Sequence, residues 1–518
     1  MISYNLFSTF SQPGCRQGGQ RGSGNSYGLT ISRATALALV LAIIFAGMMS
    51  CSSDKSSDTP DIVTENIDTV AVTEPPETQP FDKVPQLDYD GYEFNVLTLS
   101  SGINATSRFT QEIWVENENG ETINDAVFTR NGMILDRLNV KILAVSVDDV
   151  YNTAMQAILA GDDAYDLHGM YSKGRAATLA TMGLTRDWYE IPIIDMSAEW
   201  WNSKCSETLS VLGRLYMMSG AILISEIDDE LAMIYNKQLA VDYNMESIYD
   251  LVFDGSWTLD TFARQALAVH SDINGDGVMK PGDDLFGYIQ DPASMSINWV
   301  FSCDLLKETL DDEGKLSLNV NIDRVQSMLE RLSEVLKADT VHIGLDLYVG
   351  LDYFIADQIY IYAIILRNIE LLRDMESDFG IIPYPKFDEA QPEYLNHVGS
   401  ASPILTIPIT NISDDELLGN VLEAMAIASY QVVRPAYFEV ALKEKYARDG
   451  ETQQMLDIIL ESRTYNLGYI GGCSIVSVIA PMIKSGSTDF VSTWASRETS
   501  MLTQYQNFID KIIAENQK

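Results

Sequence analysis

Tyr92–Leu99 reads YEFNVLTL, a run of β-branched and aromatic residues that predicts a buried strand. Outward from it the pattern changes period. Asn124–Leu138 repeats apolar residues at helical spacing, with Ala126, Val127, Met133, Ile134, Leu135 and Leu138 on one side. Val140–Val147 predicts a second strand, Asp149–Leu159 a helix stopped at Ala160-Gly161, and Asp166–Met170 a third strand. Strands alternating with helices imply a parallel sheet covered by helices, an α/β chain. Ligands of such sheets sit beyond the carboxyl ends of the strands, which makes Met170–Lys173 a candidate cleft loop.

Upstream of this unit the chain is different in kind. Ile31–Ser57 (ISRATALALVLAIIFAGMMSCSSDKSS) places Arg33 before an apolar run, Ala34–Ala46, and after Gly47-Met48-Met49 a small residue, Ser50, just before Cys51. That is the order of a secretory signal, and the run is shorter than the about 20 residues a membrane span requires. Met1–Thr30 is rich in Gly, Ser and Gln and reads as an extended leader. Ser52–Gln86 is polar, acidic and Pro-containing, with too little apolar surface to offset the entropy of ordering; a flexible tether is expected.

The 518 residues leave room for roughly two or three domains after the leader. Net charge is −40, from 34 basic and 74 acidic residues. That balance excludes nucleic acid as an expected partner, because phosphate neutralisation needs Lys and Arg. Of the five Cys, only Cys205, Cys303 and Cys473 lie in the expected body, without C-x-x-C spacing; one disulfide is open, and buried thiols are the plainer reading.

Further along, Ala177–Trp201 packs three Trp into a short interval, and Trp200 and Trp201, being adjacent, are expected to face opposite ways. Leu223–Lys237 begins acidic and turns strand-like. Helices are expected at Ser256–Ala268 (capped by Thr258 or Asp260), Asp323–Leu336, Leu417–Lys445, Glu451–Ser462 and from Phe490 onward. Tyr353–Leu372 is helical or mixed; Phe379–Pro385 and Ile404–Ile409 read as strands.

Asp272–Asp283 (DINGDGVMKPGD) has the spacing of a calcium loop. Oxygen side chains fall at positions 1, 3, 5 and 12, namely Asp272, Asn274, Asp276 and Asp283. Gly277 stands at the sharp turn and Val278 would give a backbone carbonyl. Asp rather than Glu at the last position, and Lys280 at the ninth, depart from the pattern. A structural Ca²⁺ is expected, with a plain Asx/Gly-rich turn as the alternative. No nucleophile elbow, zinc-protease helix or phosphate loop is present, and the four His are scattered. The chain is therefore not expected to be an enzyme.

Several stretches together resemble family 1 extracellular solute-binding proteins of ABC importers, in the clostridia-type branch. They include Tyr89–Leu99 (YDGYEFNVLTL), Ala160–Leu167 (AGDDAYDL), Tyr189–Trp201 (YEIPIIDMSAEWW), Met233–Lys237 (MIYNK), Tyr249–Leu259 (YDLVFDGSWTL), Phe379–Lys386 (FGIIPYPK) and Ala436–Asp449 (AYFEVALKEKYARD). Cys51 after the apolar run likewise resembles a lipobox. The resemblance implies a periplasmic-binding-protein-like fold of type II, two α/β lobes with a hinge. In this chain they would be residues 88–230 plus 360–410, and 231–359 plus 411–518, after a signal (1–50) and a lipidated tether (51–87). It implies a monomer anchored through Cys51 on the outer face of the cell membrane, binding a small solute, expected to be a saccharide, for an ABC permease. An adhesion or sensing lipoprotein, and a secreted carbohydrate-active enzyme, are the alternatives. Sugar sites pair aromatic faces with acids. The expected ligand residues are Tyr171, Asp228, Asp229, Trp257, Trp299, Tyr360, Tyr362 and Tyr469. Asp229, six residues before Tyr235-Asn236-Lys237, carries the most specific correspondence to maltose-type relatives.

Overall fold

The computed structural model describes residues 79–100, 108–291, 295–399, 402–443 and 450–515. The expected signal, Cys51 and the tether as far as residue 78 lie outside the described residues. The last part of the expected tether is folded instead: Pro80–Lys83 is a short 3-10 helix, and Phe81 and Val84 are buried in the core beside β1, because these two apolar side chains interrupt the polar run. Within the described residues, no helix is long and apolar enough to cross a membrane.

In chain order the strands are β1 (Tyr92–Leu99), β2 (Val140–Val147), β3 (Leu167–Tyr171), β4 (Leu231–Asn236), β5 (Phe286–Gln290), β6 (Leu306–Leu310), β7 (Leu316–Val320), β8 (Val341–Ile343), β9 (Ile359–Ile365), β10 (Phe379–Ile382), β11 (Asn396–His397), β12 (Pro403–Thr406) and β13 (Arg463–Thr464). A four-stranded sheet runs β12-β3-β1-β2. β1 pairs in parallel with β2 from Tyr92↔Val140 and with β3 from Val96↔Leu167, while β12 lies antiparallel on β3. The helices between these strands are Thr122–Leu138 and Val150–Ala160. Local chemistry sets their ends. Glu121 and Asp149 accept backbone N–H groups of the first turns, and Asn139 and Gly161 take left-handed conformations at the last.

A five-stranded sheet runs β10-β4-β9-β5-β8. β4 is antiparallel to both β9 and β10, and β5 is parallel to β9 and β8. Its central strands are buried on both faces. On β4, Met233 and Tyr235 enter one apolar cluster and Ala232 and Ile234 another, the period-two alternation of a strand covered twice. The first of these faces is filled by Trp257, Phe262, Tyr288, Trp299, Tyr360 and Tyr384. The second receives Ile123 and Val127 from helix Thr122–Leu138, together with Tyr437 and Ile459.

The pairing redraws the expected lobes. Tyr360–Thr410 was assigned with the first lobe, yet β9 and β10 belong to the five-stranded sheet and only β12 returns to the four-stranded one. The reason lies in Tyr353–Leu372: helix Leu347–Ile355 ends, and Ile359–Ile365 (IYIYAII) is a continuous apolar strand with no polar face to leave the sheet core. Asn411–Lys518 was assigned to the second lobe, yet helix Asp415–Ala428 buries Leu418, Val421, Leu422 and Met425 in the first. The final helix, Phe490–Glu515, contributes Phe490, Trp494 and Met501 to one core and Tyr505, Ile509 and Ile512 to the other. Thr258, not Asp260, caps helix Leu259–Ala268. Hairpin β6–β7 was not anticipated. Cys205, Cys303 and Cys473 are free, buried thiols.

Candidate functional site

Charged side chains gather where the two sheets meet. β3 ends at Tyr171, and the following loop carries Lys173, whose Nζ stands 4.1 Å from the centre of the Tyr469 ring. The segment entering β4 brings Glu226, Asp228, Asp229 and Glu230, all buried. After β9 the chain turns through Arg367 and Glu370. The short parallel pair β11–β13 supplies Asn396, His397 and Arg463, and Val398 bridges to Glu230.

These groups form linked pairs. Arg108 reaches Asp228 at 3.2 Å and Glu370 at 2.5 Å, and Arg367 pairs with Asp229. Arg463 lies 2.7 Å from Glu226 and 3.8 Å from Glu230. Tyr465 and Asn202 also donate to Glu226, at 2.9 and 2.6 Å, and Asn396 donates to Glu230 at 2.6 Å. Asn298 completes the chain, donating to Asn396 and accepting the His397 N–H at 2.9 Å. Five carboxylates (Glu226, Asp228, Asp229, Glu230, Glu370) thus face three guanidinium groups (Arg108, Arg367, Arg463). The acids are in excess, so the seam has acceptor capacity left over. Burial raises the Asp228 and Glu230 carboxyls above the usual range against the opposing pull of Arg108 and Arg463. His397, stacked on Phe301 at 3.9 Å and met edge-on by Tyr469 at 4.5 Å, is pulled by burial to about 3 and stays neutral.

Beside the Arg463 end of this network opens a cavity of about 670 Å³. Half-buried Tyr394 gives it aromatic surface, Trp201, 3% exposed, lines it, and Glu199, Asp457, Lys204 and Arg434 give it polar surface. Trp201 belongs to the core around the four-stranded sheet, while Tyr394 and Ile458 pack on the core of the five-stranded sheet. The cavity therefore lies between the two.

Of the expected ligand residues, Tyr171, Asp228, Asp229 and Tyr469 come together in the seam. Tyr171 is half-buried, edge-on to Phe109 at 6.0 Å. Trp257, Trp299, Tyr360 and Tyr362 do not join them: all four are fully buried in the sheet cores. Their polar tips are used internally. Trp257 donates to the Pro383 carbonyl at 2.9 Å, Trp299 to Gln290 at 3.1 Å, Tyr360 to Gln265 at 2.7 Å and Tyr362 to the Leu347 carbonyl at 2.7 Å. A ring with both faces packed and its hydrogen bond made offers a ligand nothing. Arg108, Arg367, Arg463, Glu226, Glu230 and His397 were missed. Arg367 had a legible signal, a lone cation straight after the apolar run Ile361–Leu366, since an Arg in such a setting is buried only when paired.

In the Asp272–Asp283 loop, Asp272 accepts the N–H groups of Gly275 and Gly277 at 2.7 and 2.8 Å. Asn274 accepts from Asp276 and Asp276 from Val278, both at 2.8 Å. Gly277 has φ +80°, so the sharp turn is made. Asp283, however, is held by Lys280 at 2.5 Å. Among the described residues no group of three or more His, Cys, Asp or Glu side chains is gathered as for a metal ion.

Buried acids give the protein an unusual pH response. Glu112, enclosed beside Ser225, is pushed by burial from 4.5 to about 8. Between those values the folded chain holds a proton that the unfolded chain has released, so stability falls as pH rises through the window. His168 and His397, both pulled from 6.5 to about 3, act oppositely: stability falls as pH drops below 6.5. Thermal unfolding is expected to show a maximum at about pH 6, declining towards pH 8. A melting temperature that climbs steadily to pH 8 contradicts this.

No protein-family model matches the sequence, and no curated protein matches it. Solved structures do. A Rhizobium etli sugar transporter in an open conformation matches at TM-score 0.51 and 13% identity, over 81% of this chain and 99% of that one. The fold is that of two-lobe solute-binding proteins. UspC of M. tuberculosis matches at TM-score 0.50 and 14% identity, over 80% of this chain and 100% of that one. A Thermotoga lettingae ABC transporter solute-binding protein bound with α-D-tagatose gives 0.49 and 13%, over 81% and 100%. At such identities the likeness is one of fold, and the chemistry of the seam must speak for itself.

Proposed function

We propose that this chain is the extracellular solute-binding component of an ABC importer, taking a saccharide between its lobes and delivering it to a permease, without chemistry of its own. The observation that carries this reading is the concentration of unanswered polar atoms in the seam. Asp229 Oδ2, Arg367 Nε and Ser402 Oγ are buried without a hydrogen-bond partner among the described residues. Buried polar atoms are nearly always paired, so a cluster of exceptions in the seam calls for a hydroxyl-rich guest. Acids in excess accept hydroxyl hydrogens and guanidinium groups donate to hydroxyl oxygens. The fold shared with a sugar transporter supports the class. Closure is then a population shift towards the state that makes these contacts. A lipid anchor at Cys51 is part of the proposal, and intact-mass analysis of membrane-extracted protein tests it: a thioether-linked diacylglycerol on Cys51 is expected, and a mature chain without lipid rejects it.

The test of binding is a thermal-shift screen of the chain after Cys51 against mono- and oligosaccharides, peptides and polyamines. A ligand at 100 times its Kd stabilises by about 2.7 kcal/mol. Stabilisation by a saccharide is the expected result; stabilisation by peptides alone, or by nothing, sinks the reading. Calcium at Asp272, Asn274, Asp276, Val278 and Asp283 is a separate proposal, supported by the wrapped amide turns and requiring Lys280 to release Asp283. Added Ca²⁺ is expected to raise the melting temperature relative to chelator, and identical curves reject the site.

A further inference from the structure

Trp200 and Trp201 are consecutive, yet both indole N–H groups point at one carboxylate. Trp200 Nε1 lies 2.8 Å from Glu423 Oε1, and Trp201 Nε1 lies 2.8 Å from Glu423 Oε2. Adjacent side chains diverge in helix or strand, and the expectation that these two face opposite ways fails because the backbone here is neither. Trp201 makes an isolated bridge to Gly220, where a side chain would collide with the Trp200 carbonyl at 2.7 Å and the Trp201 ring at 2.8 Å. Glu423 comes from helix Asp415–Ala428, on the far side of the two rings, and is buried. Accepting from both indoles, one side chain fixes two ring planes; burial pushes its carboxyl up, and the two indole donors hold it down.

Both rings carry that order to the cavity between the sheets. Trp201 lines it directly, braced edge-on by Trp188 at 5.7 Å. Trp200 meets Tyr430 edge-on at 6.5 Å. Tyr430 in turn donates to Glu199 at 2.8 Å and lies under the Arg434 guanidinium at 5.3 Å. Glu199 and Arg434 are both lining residues. One aromatic surface, one hydroxyl acceptor and one donor are thus registered from a single point behind the wall.

We propose that Glu423 is the positioning residue of a saccharide site in this cavity, setting Trp201 directly, and Glu199 and Arg434 through Trp200 and Tyr430. This rests on the saccharide reading given above. The test substitutes Glu423→Gln, which keeps the volume and one acceptor oxygen but turns an NH₂ donor towards an indole N–H. Indole ¹⁵N-labelled protein and calorimetric titration with maltotriose, cellotriose and xylotriose read it out. The expected result is displacement of one indole N–H resonance and a Kd at least tenfold weaker for whichever sugar the wild type binds, with Glu423→Asp, which retains both oxygens, recovering part of the loss. A Kd within twofold of wild type after the resonance has moved overturns the proposal. Should Glu423→Gln fail to fold, Trp200→Phe removes one N–H while keeping a ring, and the same twofold limit applies. Where the wild type binds none of these three, the titration uses the saccharide that the thermal-shift screen selects; a screen with no saccharide hit strikes the saccharide reading itself, and unmoved indole resonances reject the role of Glu423.

Discussion

Replacing Arg463 by leucine is expected to destabilise the folded chain by about 3–5 kcal/mol, read as a shift in the chemical-denaturation midpoint. The cost is not the loss of one attraction. Arg463 is the cation that answers both Glu226 and Glu230, which are 3% and 0% exposed. Burial pulls its own proton off, but the two carboxylates outweigh burial and hold the guanidinium charged. Without it two acids are left in low dielectric with, among the described residues, Asn202, Tyr465 and Asn396 as donors. Arg463→Lys keeps the charge but loses the fork that spans both partners, so an intermediate loss is expected. A loss below about 1 kcal/mol for Arg463→Leu would mean that the acids are already protonated and the pairs are not what holds β13 to the seam.

Trp299→Ala is the second large effect, again about 3–5 kcal/mol, because it empties a site packed on all sides. Trp299 is fully buried, 5.0 Å from the Phe262 ring and 5.2 Å from the Tyr384 ring, with its N–H on Gln290. The same substitution is expected to leave saccharide affinity of the folded fraction within about twofold, since it removes no atom from the seam or the cavity. Denaturation and titration on one preparation separate the two roles. Unchanged stability with abolished binding would restore Trp299 to the ligand site that its residue type alone suggested.

What the sequence disclosed depends on whether the decisive interaction was local. β1 and β2 were readable to the residue, because a buried strand declares itself in YEFNVLTL and VKILAVSV without reference to partners. Helix Val150–Ala160 was bracketed by its own cap and stop, Asp149 and Gly161. The lobe to which a strand belongs is not local: Phe379–Ile382 was recognised as a strand, but only its pairing with Asn236–Met233 assigns it to the five-stranded sheet. The same limit governs the site. Asp228 and Asp229 were reachable because they precede a recognisable strand. Tyr360 and Tyr362 were misread because an aromatic run on a central strand and one beside a cleft look alike in one dimension. Arg463 and Glu230 stand 233 positions apart, and nothing in either neighbourhood announces the other.

The final helix carries a consequence for the order in which the chain can be built. Tyr505, Ile509 and Ile512 are part of the core that Phe94 and Val96 begin, so that core lacks one wall until the chain has been made as far as Ile512. At about 5–20 residues per second, roughly 20 seconds to a minute and a half separates the first strand from its last packing partner. During that interval the first half of the chain has its own strands but an open apolar flank. This core is completed by Tyr505–Ile512, and a nascent chain arrested before Tyr505 should remain protease-sensitive throughout its first sheet.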